Sequence, residues 1–495
     1  MATLAIDAGT TLIKAVVVSD TGVEVAVASR DTTVITPQPG WSEQDMQQVW
    51  SSVEEACLEA ITGHEDTITA IAITGQGDGA WIVDAAGRPV RPAILWNDGR
   101  AVDEIAAFAT EGNSERAWNL NGSLTSLGLP NAIMMWLAKN EPDTLSSAHA
   151  VLTCGGWITY RLTGVTGQDI SEASAPWIDV STGEVSPDLV NLYGLGDYAH
   201  LIPPVLNNPR LRLLSHVAHS WGISADTPVI VAPYDIVTTA TGSGAVRSGD
   251  AFAILGTTIC PGTIIDTPQV GGVRTGLNIL GVGDGLTLRA FPTVTGANTL
   301  TWLTDLLGVE SIDALLELAS TAPAGANGVL WLPYLSDAGE RAPFFDPDAS
   351  GLLFGLSHRH TPADIARGLL ESLSYMIKES LEATGTTPSQ ITLSGGGAKS
   401  DLWCHIIADI TGVPAIRTQD SQVGAKGAHI YASVLTGHFD TVADAAAALV
   451  RPQDTFIPSL NNQSLHHERF HLFKNLRNSI SPLWWERKGR NGHRK

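Results

Sequence analysis

Short apolar stretches punctuated by polar turns dominate the start of the chain. Residues 3–7, 13–18, 23–28 and 68–73 read as strands. Residues 42–62 change to a helical period, with Val49, Val53, Ala56, Leu58 and Ala60 on the apolar side. Ser42 is the predicted N-cap, with Asp45 three residues on. Residues 81–92 read as strand, turn and strand around Asp-Ala-Ala-Gly-Arg-Pro. Helices are predicted at 100–110, 130–140, 362–384 and 400–411. The apolar run 228–234 reads as a strand that leads into Asp235 and a helix of small residues.

The pattern restarts after Gly244–Gly249. Residues 250–258 (Asp-Ala-Phe-Ala-Ile-Leu-Gly-Thr-Thr) again set a β run before a Gly-Thr-Thr turn, as residues 3–11 do. This echo predicts an α/β protein of two similar halves facing each other across a cleft, the usual home of a small-molecule site. The expected division is 1–245, 246–460 and a tail, 461–495.

Composition narrows the function classes. A chain of 495 residues has room for two to four domains, and its net charge of −22 argues against a nucleic-acid binder. A nucleotide held by so acidic a chain needs a metal or helix N-termini beside it. Cys57, Cys154, Cys260 and Cys404 are scattered, without metal spacing, and read as reduced thiols of a cytoplasmic protein. Asp7 and Lys14 interrupt the first apolar stretch, so it is no signal peptide, and no run is long enough for a membrane span. The tail is basic. It reads as a terminal helix, or as an anionic-surface contact anchored by Trp484 and Trp485.

Four loops carry phosphate-type chemistry. They are Asp7–Thr11, Gly256-Thr257-Thr258, Leu393–Asp401 with three consecutive glycines before a helix, and Gly424-Ala425-Lys426-Gly427-Ala428. Free N–H groups, hydroxyls and a helix dipole suit a polyphosphate. Each loop alone also fits a tight turn or close helix packing. Asp235, at a strand end, is either a base for a hydroxyl proton or an N-cap. Residues 75–80 formally fit the dinucleotide fingerprint GxGxxA, but a strand-turn-strand follows where the fingerprint needs a helix. Their glycines would instead let Gln76 and Asp78 face a cleft. Asn97, Asp98 and Arg100 beside Trp96 suit sugar hydroxyls, or Asp98 caps the next helix. No Walker A or protein-kinase motif set occurs.

Over residues 1–455 the chain resembles the FGGY carbohydrate kinases of the actin-like ATPase superfamily. The stretches AIDAGTTLIKA (5–15), PGWSEQD (39–45), TGQGDG (74–79), ILWNDGRA (94–101), YRLTG (160–164) followed by Asp169 and Ser171, PYDIVTTA (233–240), LGTT (255–258), GERAPFFDPDASGLLFGL (339–356) and SGGGAKSDLWCHIIADITGVP (394–414) come in the family's order. The resemblance implies two ribonuclease-H-like domains that close on ATP, Mg²⁺ and a small sugar or polyol. It implies Asp7 at the metal, Thr10 and Thr11 at the transferring phosphate, and Asp235 as general base. Gly256, Thr257 and Thr258 would line the phosphate track, and Gly396, Gly397 and Ala398 the adenosine. Gln76, Asp78 and Asp98 would meet the acceptor. The oligomeric state is left open, with a homodimer as the one assembly considered.

Gly77-Asp78 departs from the Met-His of xylulokinases and the Arg-Glu of glycerol kinases, and is more similar to erythritol and L-xylulose kinases. ILWNDGR is xylulokinase-like. The expected acceptor is therefore a xylulose-type pentulose, with erythritol or another short polyol as the rival. A non-catalytic sugar-binding protein of the same fold is a weaker alternative, because such a protein would be expected to lose Asp7 or Asp235. Gly77 is expected to leave spare room beside Asp78.

Overall fold

The computed structural model describes residues 2–336 and 338–487. The chain divides into two α/β units, and neither is a continuous stretch. The first comprises residues 1–247, 266–288 and 420–451; the second comprises 248–265, 289–419 and 452–495. The division expected from sequence, a single crossing near residue 245, does not anticipate the two returns to the first unit. They are paid in tertiary contacts, not in local pattern. Asn278 bonds Asn121 and Gln269, and the helix Val423–Leu435 lies on the helix Asp235–Gly242.

The first unit is built on a six-stranded sheet, in the order Arg210–Arg212, Pro228–Val231, Ile68–Gly75, Ala2–Ala8, Leu12–Ser19 and Glu24–Asp31. Ala2–Ala8 pairs antiparallel with Leu12–Ser19 and parallel with Ile68–Gly75, which is parallel to Pro228–Val231. In the second unit, strands Ile259–Ile265, Ala251–Leu255, Ile391–Ser394, Ala415–Thr418 and Pro452–Phe456 repeat this order and sense: antiparallel, parallel, parallel, antiparallel. The strands at the centre are apolar on both faces because helices cover both. Each unit has its own core, around Leu4, Ile6, Ile73 and Trp157 in the first and Leu255, Leu373, Trp403 and Phe473 in the second.

The helix predicted at 42–62 spans Met46–Ile61, and Asp45 caps it by accepting from the amides of Gln47 and Gln48. Ser42 is not the cap; Glu43–Gln44 pairs instead with Ala93–Ile94, which holds 42–44 extended. The buried face includes Trp50, Cys57 and Ile61, whereas Leu58 is exposed. No helix follows Gly79 directly; the strand Trp81–Val83 does. The tail forms the helix Leu460–Arg487, which packs Phe470, Phe473 and Trp484 into the second unit's core. Trp484 lies against Tyr334 and Phe344, so it is no surface anchor. The final basic residues, 488–495, lie outside the described residues. The four cysteines are buried and unbridged. Among the described residues no helix is long and apolar enough to cross a membrane.

Candidate active site

In the first unit, three parallel strands end side by side. Asp7 and Thr74 are paired across the central two, and Asp235 follows the third after a short turn. Ligands in such sheets bind beyond the carboxyl ends of the strands. Asp7 is partly buried, with Lys14 Nζ 3.9 Å away across the hairpin. Burial raises its pKa above the ordinary carboxylate value, and the charge of Lys14 opposes this. Gly424 passes so close that a Cβ there would stand 2.9 Å from Asp7 Oδ2.

Thr10 and Gln76 lie together. Thr10 Oγ1 donates to Gln76 Oε1 at 2.9 Å, and Trp96 Nε1 donates to Thr10 Oγ1 at 2.9 Å. Gln44 completes the set. It donates to the Thr10 carbonyl and accepts from Gln76 Nε2. Thr11 is exposed at the turn. Its neighbour Gly9 closes the loop by donating to the Leu12 carbonyl.

Asp235 opens the helix Asp235–Gly242. The cap position is Tyr234, whose side chain makes no capping bond, so Asp235 is not the N-cap. Burial, then the charge of Asp7, then that of Asp78 push its pKa up to about 8, against a hydrogen bond from the Ile236 amide. Asp78 is held at φ +59°, a left-handed conformation uncommon outside glycine. The space beside it is filled: a Cβ on Gly77 would stand 2.1 Å from the ring of Tyr234. The spare room expected from Gly77 is thus occupied by an aromatic side chain from another strand end.

Asp98 is placed differently from the other candidates. Its carboxylate accepts from the Ser42 amide and from Arg100 N, Nε and Nη2. The side chains of Asp98 and Arg100 have no exposed surface. Arg100 also pairs with Glu43 and stacks on Trp41 and Trp136. With both oxygens engaged and no exposure, Asp98 braces the loop that carries Trp96.

The second unit brings two other loops together. Ile254 pairs with Ser394, so the turns after the two parallel strands are neighbours. Gly395, at φ +85°, lies against the backbone of Leu255, where a Cβ would stand 2.8 Å from the carbonyl. Thr257 is exposed, and the amide of Gly256 donates to the Thr258 carbonyl. Gly396 faces open space, whereas Gly397 lies against Trp403. Ala398 is buried, and its carbonyl accepts from Arg417 Nη1. Ser400 caps the helix Asp401–Thr411 that follows. The fourth loop of the sequence reading is not a loop. Gly424–Ala428 lies inside the helix Val423–Leu435, and Lys426 is buried, bonded to the Gly22 carbonyl and paired with Asp420. Gly427 serves helix packing, and Gly424 lies against Asp7.

Tyr234 and Glu172 were not singled out from sequence. Glu172 lies in the helix Ile170–Trp177, whose Ser171 hydroxyl accepts from the Tyr234 amide at 3.1 Å. A Ser-Glu pair inside an otherwise small and apolar buried helix was the available signal.

Two α/β units of like topology, each with a Gly-Thr-Thr turn after its first central strand, define an actin-like ATPase fold. Within that class, the chain belongs to the FGGY family of carbohydrate kinases. It matches the family's N-terminal domain over residues 2–242 and its C-terminal domain over 251–436. It is 30% identical to the xylulose kinase of Escherichia coli K12 over 97% of this chain and 99% of that one. It is 28% identical to the erythritol kinase of Brucella abortus 2308, covering 97% and 96% of the two chains. The crystal structure of xylulose kinase from Rhodospirillum rubrum superposes with a TM-score of 0.88 at 27% identity, over 98% of this chain and all of that one (100%). The protein is an enzyme, a phosphotransferase acting on a carbohydrate.

Proposed function

We propose that the enzyme transfers the γ-phosphate of ATP to a terminal hydroxyl of a small uncharged sugar, a xylulose-type pentulose, in the cytoplasm. The observation that carries this reading is the carboxylate pair of Asp235 and Asp78 at the strand ends beside the Thr10–Gln76 hydrogen bond. Asp78 suits adjacent hydroxyls of an uncharged acceptor. The xylulose kinases among the relatives support a pentulose. Gly77-Asp78 and the erythritol kinase relative favour erythritol as the second reading. The Tyr234 ring beside Gly77 favours short acceptors over hexoses.

In this reading Asp235 accepts the proton of the terminal hydroxyl as its oxygen bonds phosphorus. The bond to the β-phosphate oxygen breaks, and ADP leaves. Positioning and charge neutralisation supply most of the catalysis in phosphoryl transfer. Thr10 and Thr11 offset charge on the transferring phosphate, and Thr257 and Thr258 line its track. Gly396, Gly397 and Ala398 would hold the adenosine. Asp7 fits a cation: it is a partly buried carboxylate with Lys14 only at 3.9 Å. Among the described residues no group of three or more His, Cys, Asp or Glu forms a metal cage. That suits Mg²⁺, which binds through one or two carboxylates, water and phosphates. Bound there, Mg²⁺ would neutralise phosphate charge.

The test is ADP release across pentuloses, tetritols, pentitols, glycerol and hexoses. A xylulose-type ketose is expected to give the highest kcat/KM. A clear preference for hexoses or glycerol would overturn the reading.

A further inference from the structure

Glu172 is a buried carboxyl of the first unit with no part in the reaction so far. It lies in the first turn of Ile170–Trp177 and is 7% exposed. Its Oε1 stands close to Gly155, where a Cβ would come within 3.3 Å. Its Oε2 is buried without a hydrogen-bond partner. A buried polar atom left unbonded bears its desolvation cost uncompensated. Glu172 also lines a small cavity with Thr74, Thr153, Asp169 and Tyr234. A polar cavity beside an unsatisfied oxygen is the setting of an ordered water.

Asp78, Asp169 and Asp235, the Thr153 hydroxyl and the Cys154 thiol face Glu172. Burial, and next the charge of Asp78, hold Glu172 well above the carboxylate range, with Thr153 working the other way. A charged Glu172 would set a further like charge beside Asp78 and Asp235.

We propose that Glu172 is a positioning residue for the acceptor: it serves as an un-ionised carboxylic acid whose free oxygen binds a water in the cavity behind Tyr234. It thereby braces the wall that carries Tyr234 and Asp235 without placing another charge beside Asp78. The role as positioning residue rests on the kinase reading above.

Two variants of the full-length enzyme test it. Glu172→Ala is expected to raise the acceptor KM about tenfold or more and to leave the ATP KM nearly unchanged. Glu172→Gln, neutral and isosteric, is expected to restore the acceptor KM to within about threefold and to leave the acid limb of the kcat/KM profile in place. Equal rises in both KM values, no rescue by glutamine, or an acid limb moved to lower pH would each overturn the proposal. The wild-type minus Glu172→Gln infrared difference spectrum at pH 7 should show the carbonyl stretch of an un-ionised carboxylic acid. A carboxylate band there would overturn the proposal whatever substrate is used. A wild type inactive on every acceptor would instead defeat the kinase reading and the positioning role with it, while the infrared result still decides the ionisation of Glu172.

Discussion

Asp235 concentrates the consequences that a single residue can have here. Asp235→Asn is expected to lower kcat by about 10²–10⁴-fold, the range for loss of a general base, with both KM values nearly unchanged. Near wild-type kcat would remove Asp235 from the chemistry. Its pKa also makes a stability statement. In the ligand-free protein Asp235 keeps its proton up to about pH 8, whereas an unfolded aspartate loses it near 3.8. Between these values the folded state binds more protons, so this group lowers stability as pH rises through the window. Asp235→Asn should therefore melt higher than wild type at pH 8 and alike at pH 4, in Mg²⁺-free buffer. A gap that widens towards low pH would contradict this. Asp7, Thr10, Gln76 and Asp235 were legible as turn and strand-end residues because their neighbours in sequence define the turn. The partners of Asp98 were not legible, because they include Ser42, 56 positions away.

At the scale of elements, the helix Asp235–Gly242 is seated by glycines. A Cβ on Gly427 would stand 1.9 Å from the Thr238 carbonyl, and one on Gly242 would stand 1.9 Å from that of Val423. The two helices meet backbone to backbone, and neither can back away without moving Asp235 or the Gly424 contact on Asp7. Gly427→Ala is expected to cost at least about 1–3 kcal/mol, as overpacking does, and to lower kcat although residue 427 touches no substrate. Thermal melting and steady-state kinetics read the two effects; unchanged values for both would show that the helices can separate freely. The same glycines explain why 424–428 read as a phosphate loop. Gly-Ala-Lys-Gly-Ala suits either a tight turn or a close helix crossing, and only the partner helix decides.

For the whole molecule, the net charge of −22 makes the cation requirement a sharp test. Turnover should vanish in excess chelator and return with Mg²⁺, and Asp7→Ala should abolish it while the thermal transition stays near that of wild type. Undiminished turnover in chelator would contradict the role given to Asp7.

What the sequence determined by itself was local. Strand and helix periods, the repeated β run with Gly-Thr-Thr, the strand-end aspartates and the ordered motif series all lie within short windows. Period and turn chemistry act over such distances. What only the tertiary structure decided was the use of space between segments far apart in the chain. It assigned residues 266–288 and 420–451 to the first unit. It filled the room beside Asp78 with Tyr234, closed Asp98 onto Arg100, and set Glu172 among other carboxyls. Burial, backbone approach and the pairing of charges depend on which surfaces meet, and no stretch of sequence carries its partner's coordinates.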